Sequence, residues 1–194
     1  MGNFLMSCPV KPGRYYLHNW KLGNMDRIAF RVAGSYRSSV SFLTGESTYN
    51  KKFFDNFTLS IVNNTLCLDL DIIKPLSRGF RAHIEFQLSL GRSKKYQRVF
   101  AHVLDVCEVV TTIKNNIFKS WFQSMLQHGN FMYNCPVAKG HYFLHNWRLE
   151  SRLVPTYLYA GDYRVKAHFF YGKHRSKLED FIVDLIVYAQ LKPS

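Results

Sequence analysis

Residues 80–90 alternate strictly between apolar and polar side chains, and this pattern restricts the fold more than any other feature. A period of two is typical of a β-strand with one buried face and one solvated face. A basic turn follows at 91–95, and residues 96–106 are predicted to return as the antiparallel partner. Further strands are predicted at 53–62, 66–73, 141–149, 155–160, 162–171 and 181–191.

One segment has a helical period instead. A stripe of apolar residues spaced four apart predicts a single amphipathic helix over about 112–128. The stripe consists of Ile113, Ile117, Trp121 and Met125, widened by Phe118 and Phe122. Many strands at hairpin spacing with one inserted helix predict an all-β fold, an antiparallel immunoglobulin-like β-sandwich.

A duplication defines the predicted domain organisation. Residues 2–22 and 129–149 are identical at 13 of 21 positions, with an offset of 127 residues. Such a period is domain-sized, far above the roughly 20 to 50 residues of solenoid repeats. We therefore expect a truncated copy of the C-terminal half of a domain at 1–42, a linker at 43–50 and a complete domain at 51–194. The chain begins almost on the repeated motif, without a signal peptide, which suggests an incomplete or fused gene model.

The charge of the chain favours acidic partners. Its formal net charge is +13, and the basic residues are densest in two predicted turns. An acidic protein, a glycan or a membrane surface are the partners expected for these turns, whose basic residues are Arg92, Lys94, Lys95, Lys173 and Arg175. Nucleic acid is not expected, because the aromatic residues alternate inward rather than forming exposed stacking platforms.

The sequence offers little chemistry for an enzyme. It contains no nucleophile elbow, phosphate-binding loop or zinc-protease motif, so we expect no catalytic residues, cofactor or metal. His141 and His145 face the same way on a predicted strand, but at roughly 13 Å apart they are expected to be too distant to share a metal. The histidines are interpreted as structural, and Trp147 as a core residue or a cavity wall.

Two features concern the cellular compartment. A bond between Cys107 and Cys135 would pin both ends of the predicted helix to the sheet, and two free buried thiols are the alternative. Cys8 and Cys67 are left free or mispaired.

Asn56 and Asn63 each begin a sequon for N-glycosylation, as expected for a secreted glycoprotein. No segment is apolar enough to span a membrane.

Several motifs resemble a known family. Asp105-Val106-Cys107, the aromatic helix, Asn134-Cys135-Pro136 and Gly161-Asp162-Tyr163 resemble an insect family of secreted proteins of unknown function. That family is grouped with chemosensory proteins of the CheA/CheB type and, remotely, with ML lipid-recognition proteins. The resemblance implies an ML-like sandwich, secretion, a disulfide between Cys107 and Cys135, and sheets that part around an apolar ligand.

The leading functional hypothesis is a secreted, non-enzymatic binding protein for a lipid or small hydrophobic ligand, with a chemosensory role. The candidate walls of its cavity are Phe118, Trp121, Phe122 and Met125. The alternative is an interaction module without a cavity, which binds an acidic partner through the basic turns. A fully packed core would contradict the first hypothesis, and binding that weakens steeply with salt would support the second.

Overall fold

The computed structural model describes residues 38–89, 95–111, 117–130, 134–155 and 158–193, all within one compact unit, Ser35–Ser194. Residues 1–37 of the predicted truncated copy lie outside the described residues, so the division into a truncated copy and a complete domain stays a prediction.

Eight strands and two helices of α type form in the described part of the chain. The strands are β1 (Ser38–Tyr49), β2 (Phe54–Val62), β3 (Thr65–Ile72), β4 (Arg81–Ser89), β5 (Gln97–Asp105), β6 (Gly140–Trp147), β7 (Gly161–Tyr171) and β8 (Asp180–Pro193). The helices are α1 (Val106–Thr111) and α2 (Ile117–Leu126), and a 3-10 helix covers Ser151–Leu153.

The strands form two antiparallel sheets. The large sheet has the order β1-β8-β7-β4-β5, and the small sheet has the order β2-β3-β6. Buried side chains from both sheets form the main hydrophobic core, which includes Leu68 and Leu144 of the small sheet and Ala82 and Val183 of the large sheet. The predicted all-β sandwich with a small helical part is therefore confirmed.

The buried apolar face predicted for residues 80–90 is confirmed in the described residues 80–89, but the opposite face is solvated only in part, because Gln87 and Ser89 are buried as well. Phe80, Ala82, Phe86 and Leu88 are buried, and Ile84 is partly buried and packs on the core. The β4 strand lies between β7 and β5, so its inward face meets the core along its whole length. This strand contributes Ile84 and Phe86 to one side of the cavity floor described below.

The β2-β3 hairpin closes through two asparagines. Asn63 and Asn64 have φ angles of 48° and 63°. A two-residue hairpin turn needs positive φ at both positions, which asparagine tolerates better than most residues. The side-chain Oδ1 of Asn64 also accepts a hydrogen bond from the backbone N–H of Phe42 in β1, at 2.5 Å. This bond connects the small sheet to the edge of the large sheet.

Two local predictions are wrong. Residues 43–49 belong to β1 rather than to a linker, because their backbone pairs with β8 from Gly45 to Tyr49 despite a polar composition. No strand forms among the described residues of 155–160, where Leu158 N–H instead closes a turn on the carbonyl of Pro155. Proline has no N–H to donate to a sheet, which disfavours a strand at this position.

The predicted helix over 112–128 is confirmed at Ile117–Leu126, while residues 112–116 lie outside the described part. Helix α1 was not predicted, and its first residue, Val106, was expected to end a strand. The carboxylate of Asp105 accepts a hydrogen bond from the backbone N–H of Glu108 at 3.0 Å, which caps the first turn of α1. Asp105 thus ends β5 and begins α1.

Candidate functional site: an apolar cavity between the sheets

An apolar cavity of about 230 Å³ lies between the two sheets and against helix α2. Its floor is the inward face of the large sheet, where Ile84, Val165 and Val187 occupy successive strands. Leu68 and Trp147 of the small sheet form the opposite wall. The same strand alternation that builds the core therefore supplies the walls of the cavity.

Both tryptophans of the wall have their polar atoms occupied by protein partners. The indole Nε1–H of Trp121 donates to the carbonyl oxygen of Leu153 at 2.8 Å. The indole Nε1–H of Trp147 donates to the hydroxyl of Ser124 at 3.1 Å. Because each N–H is already bonded, the rings contribute to binding through their carbon surfaces.

The remaining polar groups of the wall are also bonded. The hydroxyl of Tyr163 donates to the carbonyl oxygen of Tyr159 at 2.8 Å, and burial raises the pKa of Tyr163 to about 12. The amide of Gln190 donates to the carboxylate of Asp162 at 2.9 Å. A polar ligand would have to compete with these bonds, so the cavity selects for apolar molecules.

The volume of the cavity limits the part of an occupant that it can enclose. An engineered protein cavity of about 150 Å³ binds benzene, which corresponds to roughly 25 Å³ for each carbon atom. At that ratio a cavity of 230 Å³ holds about nine carbon atoms. A small hydrophobic molecule fits this space, whereas the two acyl chains of a lipid exceed it.

Helix α2 supplies three of the four residues predicted as walls. Phe118, Trp121 and Met125 line the cavity. Phe122 is partly buried and packs against the main hydrophobic core, outside the cavity lining. The ring of Trp121 lies 5.7 Å from that of Phe86 in β4, so the helix rests directly on the large sheet. Whether these residues contact a ligand stays a prediction.

A disulfide holds the helical segment in place. Cys107 in α1 and Cys135, on the far side of α2, are bonded, with their Cα atoms 5.3 Å apart. The bond closes a segment with a sequence separation of 28 that includes α2 and its cavity-lining side chains. Cys67 is a free thiol whose sulfur accepts a hydrogen bond from the N–H of Asn146 at 3.4 Å, and Cys8 lies outside the described residues.

The predicted basic surface is only partly described. Arg92 and Lys94 lie outside the described residues, whereas Lys95, Lys173 and Arg175 have exposed side chains. The backbone N–H of Arg175 donates to the carboxylate of Glu179 at 2.5 Å, which fixes the β7-β8 turn. The structure brings Lys173 and Arg175 into one turn.

Both sequon asparagines lie on the surface. Asn56 is an exposed residue of β2, and Asn63 is exposed at the tip of the β2-β3 hairpin. The carbonyl of Asn63 accepts a hydrogen bond from Arg148 at 3.0 Å, which leaves its side chain outside that contact. Both side chains are therefore accessible in the folded domain.

The spacing argument for His141 and His145 needs correction. Both Nε2 atoms approach the same oxygen of Asp69, at 3.7 Å for His141 and 4.0 Å for His145. Two nitrogens that close to one oxygen cannot be 13 Å apart, because the side chains lean toward each other across the strand. His141 also contacts the carboxylate of Asp71 at 2.9 Å. The group is exposed, so its polar contacts contribute little to stability.

A second pocket, of about 450 Å³, lies on the outer face of the large sheet and is polar. Burial and the neighbouring His174 lower the pKa of His83. Burial raises the pKa of Glu179, but hydrogen bonds from Arg175 and His168 outweigh this effect and lower it overall. Spacing along the sequence does not reveal this cluster, because strand register and a turn bring its members together.

Part of the chain matches the model of a known protein family. Residues 82–165 match the model of a family described as a protein of unknown function, DUF1091. The match runs from β4 to the middle of β7 and includes α2 and both disulfide cysteines. No curated protein matches the chain. Within the described ranges, no helix has the length and apolar character needed to cross a bilayer.

Proposed function

We propose that this domain is a non-enzymatic carrier that binds a small hydrophobic molecule between its two sheets. The observation that carries the proposal is the cavity of about 230 Å³, whose lining residues are all hydrophobic apart from Gln190. Closely packed protein interiors rarely leave voids larger than a water molecule. A void of this size with bonded polar groups is suited to an apolar ligand.

Burial of apolar ligand surface is the expected driving force for binding, because the cavity wall is apolar. Each methylene transferred from water into the cavity contributes about 0.8 kcal/mol, which is close to a fourfold gain in affinity. No hydrogen bond to the wall is needed, because the polar atoms of Trp121, Trp147 and Tyr163 have protein partners. Affinity should follow ligand length until the cavity is full.

A homologous series of 1-alkanols, from butanol to hexadecanol, tests the proposal on the full chain. Dissociation constants are measured by isothermal titration calorimetry at low protein concentration. Affinity is expected to rise about fourfold for each added methylene and to level off near nine carbon atoms, where the cavity is full. The hydroxyl group remains at the opening of the cavity.

Two results would count against the carrier. Absence of any saturable binding would exclude a cavity site. Affinity that keeps rising through hexadecanol without a plateau would indicate adsorption to an open surface rather than filling of an enclosed space. A plateau far beyond nine carbons would show that the sheets part more than the structure indicates.

We further propose that the carrier is secreted and serves chemosensation. The disulfide between Cys107 and Cys135 is typical of an oxidising compartment. Exposed sequons at Asn56 and Asn63 and the resemblance to secreted chemosensory proteins support the same assignment. Expression in insect cells behind a signal peptide should give a glycosylated product, and a mass unchanged by glycosidase treatment would argue against it. The interaction through basic turns stays a prediction.

A further inference from the structure

The outer face of the large sheet gathers histidine and carboxylate side chains away from the apolar cavity. His83 of β4 pairs with His168 of β7, and His168 pairs with Asp184 of β8, so the three form one row across the sheet. The β7-β8 turn then folds His174 and Glu179 over this row. Strand register and the turn thus concentrate potential metal ligands at one place.

Three of these residues offer donor atoms at metal-binding distances. One ligand atom each from His168, His174 and Glu179 lies within 4.8 Å of the other two. Nε2 of His168 is 2.8 Å from one oxygen of Glu179, and Nδ1 of His174 is 3.2 Å from the other. Ligands placed tetrahedrally at about 2.0–2.1 Å from a zinc ion are about 3.3 Å apart. Small side-chain shifts therefore suffice to admit the ion.

Asp184 orients His168 for such a role. Its carboxylate contacts Nδ1 of His168 at 2.6 Å, which directs Nε2 of the ring toward Glu179. Histidines that bind metals commonly donate their second nitrogen to a carboxylate in this way, which fixes the ring and its tautomer. The cluster thus contains an orienting residue in addition to the three ligands.

The ring of His174 is held in place beside the cluster. It stacks on His83 with centroids 4.5 Å apart, and its Nε2, the nitrogen that does not face Glu179, is buried without a hydrogen-bond partner among the described residues. The side chains of His168, His174 and Glu179 are 23%, 22% and 17% exposed, so the ligands are mostly shielded from water.

We propose that His168, His174 and Glu179 bind one Zn²⁺ ion, with Asp184 as the positioning residue for His168. Two imidazoles and one carboxylate form a ligand set that zinc uses when its fourth position is taken by water or another ligand. The polar pocket of about 450 Å³ beside the cluster provides room for that fourth ligand. This site is independent of the apolar cavity, which lies on the other face of the sheet.

Zinc titration of the full chain, followed by calorimetry, tests the site. The unmodified chain should bind zinc, and Glu179→Gln and His174→Ala should each remove one equivalent or lower its affinity at least tenfold. Asp184→Asn should lower the affinity for the same zinc ion by about 10- to 100-fold, because it removes the carboxylate that orients His168. Circular dichroism of each variant establishes that it is folded.

His141→Ala provides the matched control, because His141 also contacts two carboxylates but on the small sheet. This variant should keep the affinity of the unmodified chain. Absence of zinc binding would overturn the proposal, and so would zinc binding that survives in a folded Glu179→Gln variant. Loss of the zinc equivalent in His141→Ala would place the metal at Asp69 and Asp71 instead.

Discussion

Replacing Val187 with phenylalanine should shorten the longest ligand that the cavity accepts. Val187 lines the cavity from the centre of β8, opposite Val165 in β7. The substitution adds about four carbon atoms, which occupy about 100 Å³ at roughly 25 Å³ for each carbon. The space that remains holds about five carbon atoms rather than about nine.

The expected loss of affinity follows from the methylenes that no longer enter. Four methylenes at about 0.8 kcal/mol each amount to about 3 kcal/mol, or a loss of affinity near 200-fold for 1-nonanol. Binding of 1-pentanol should change little. Calorimetric titration of the alkanol series against Val187→Phe measures both values, and the plateau should move from about nine to about five carbons.

Ile186→Phe is the control for this experiment. Ile186 is the neighbouring residue on β8 and lines the polar pocket on the outer face of the sheet. The substitution enlarges a side chain on the same strand without entering the apolar cavity, so the plateau should stay where it is. An unmoved plateau in a folded Val187→Phe variant, or a moved plateau in Ile186→Phe, would refute the assignment of the binding site.

Three further predictions concern stability. Replacing Cys107 and Cys135 with serine should lower the free energy of unfolding by about 3–4 kcal/mol in urea titrations, as expected for the loss of a bond with a sequence separation of 28; an unchanged midpoint would exclude a structural role for the bond. Gly129→Ala should cost about 1–3 kcal/mol, because its Cβ would overlap the backbone carbonyl oxygen of Phe143, and a wild-type melting temperature would contradict that contact. Burial raises the pKa of Tyr163 to about 12, so the folded state favours the neutral phenol. The resulting contribution of Tyr163 to stability is fully present below pH 10, where the unfolded tyrosine is also neutral. It is lost as the pH rises from about 10 to about 12. Between pH 9 and pH 11 the free energy of unfolding should fall by about 1 kcal/mol more in the unmodified chain than in Tyr163→Phe. Equal losses in the two proteins would show that Tyr163 does not titrate this way.

The strands that carry clear alternation could be predicted from the sequence. In β4 and the residue before it, each inward residue from Phe80 to Leu88 is apolar, so the buried face follows from local composition alone. Helix α2 was equally predictable from the spacing of Trp121 and Met125. Local periodicity is sufficient when one face of an element meets the core.

Elements whose structure depends on distant partners were not predictable in the same way. The polar residues of β1 adopt a strand because β8 offers its edge, which composition does not reveal. Helix α1 begins at Val106, a residue typical of strands, because Asp105 caps it. Local preference is overridden in both cases by hydrogen bonds that the three-dimensional structure supplies.

The site was predictable from the helix side and, in the small sheet, from Trp147, which was interpreted as a core residue or a cavity wall. Phe118 and Trp121 could be identified as candidate walls because they lie on the apolar stripe of an inserted helix. Their neighbours on β7 and β8 depend on which strands face each other, and the contact of His168 with Asp184 depends on exact register. Sequence spacing along one strand does not determine such cross-strand pairs.

A crystal structure of the full chain with 1-bromononane tests the carrier account most directly. The account predicts an anomalous bromine peak connected to continuous ligand density between the sheets, in contact with Trp121, Val165 and Val187. Bromine density confined to the outer surface, or a cavity closed by rearranged core side chains, would contradict it.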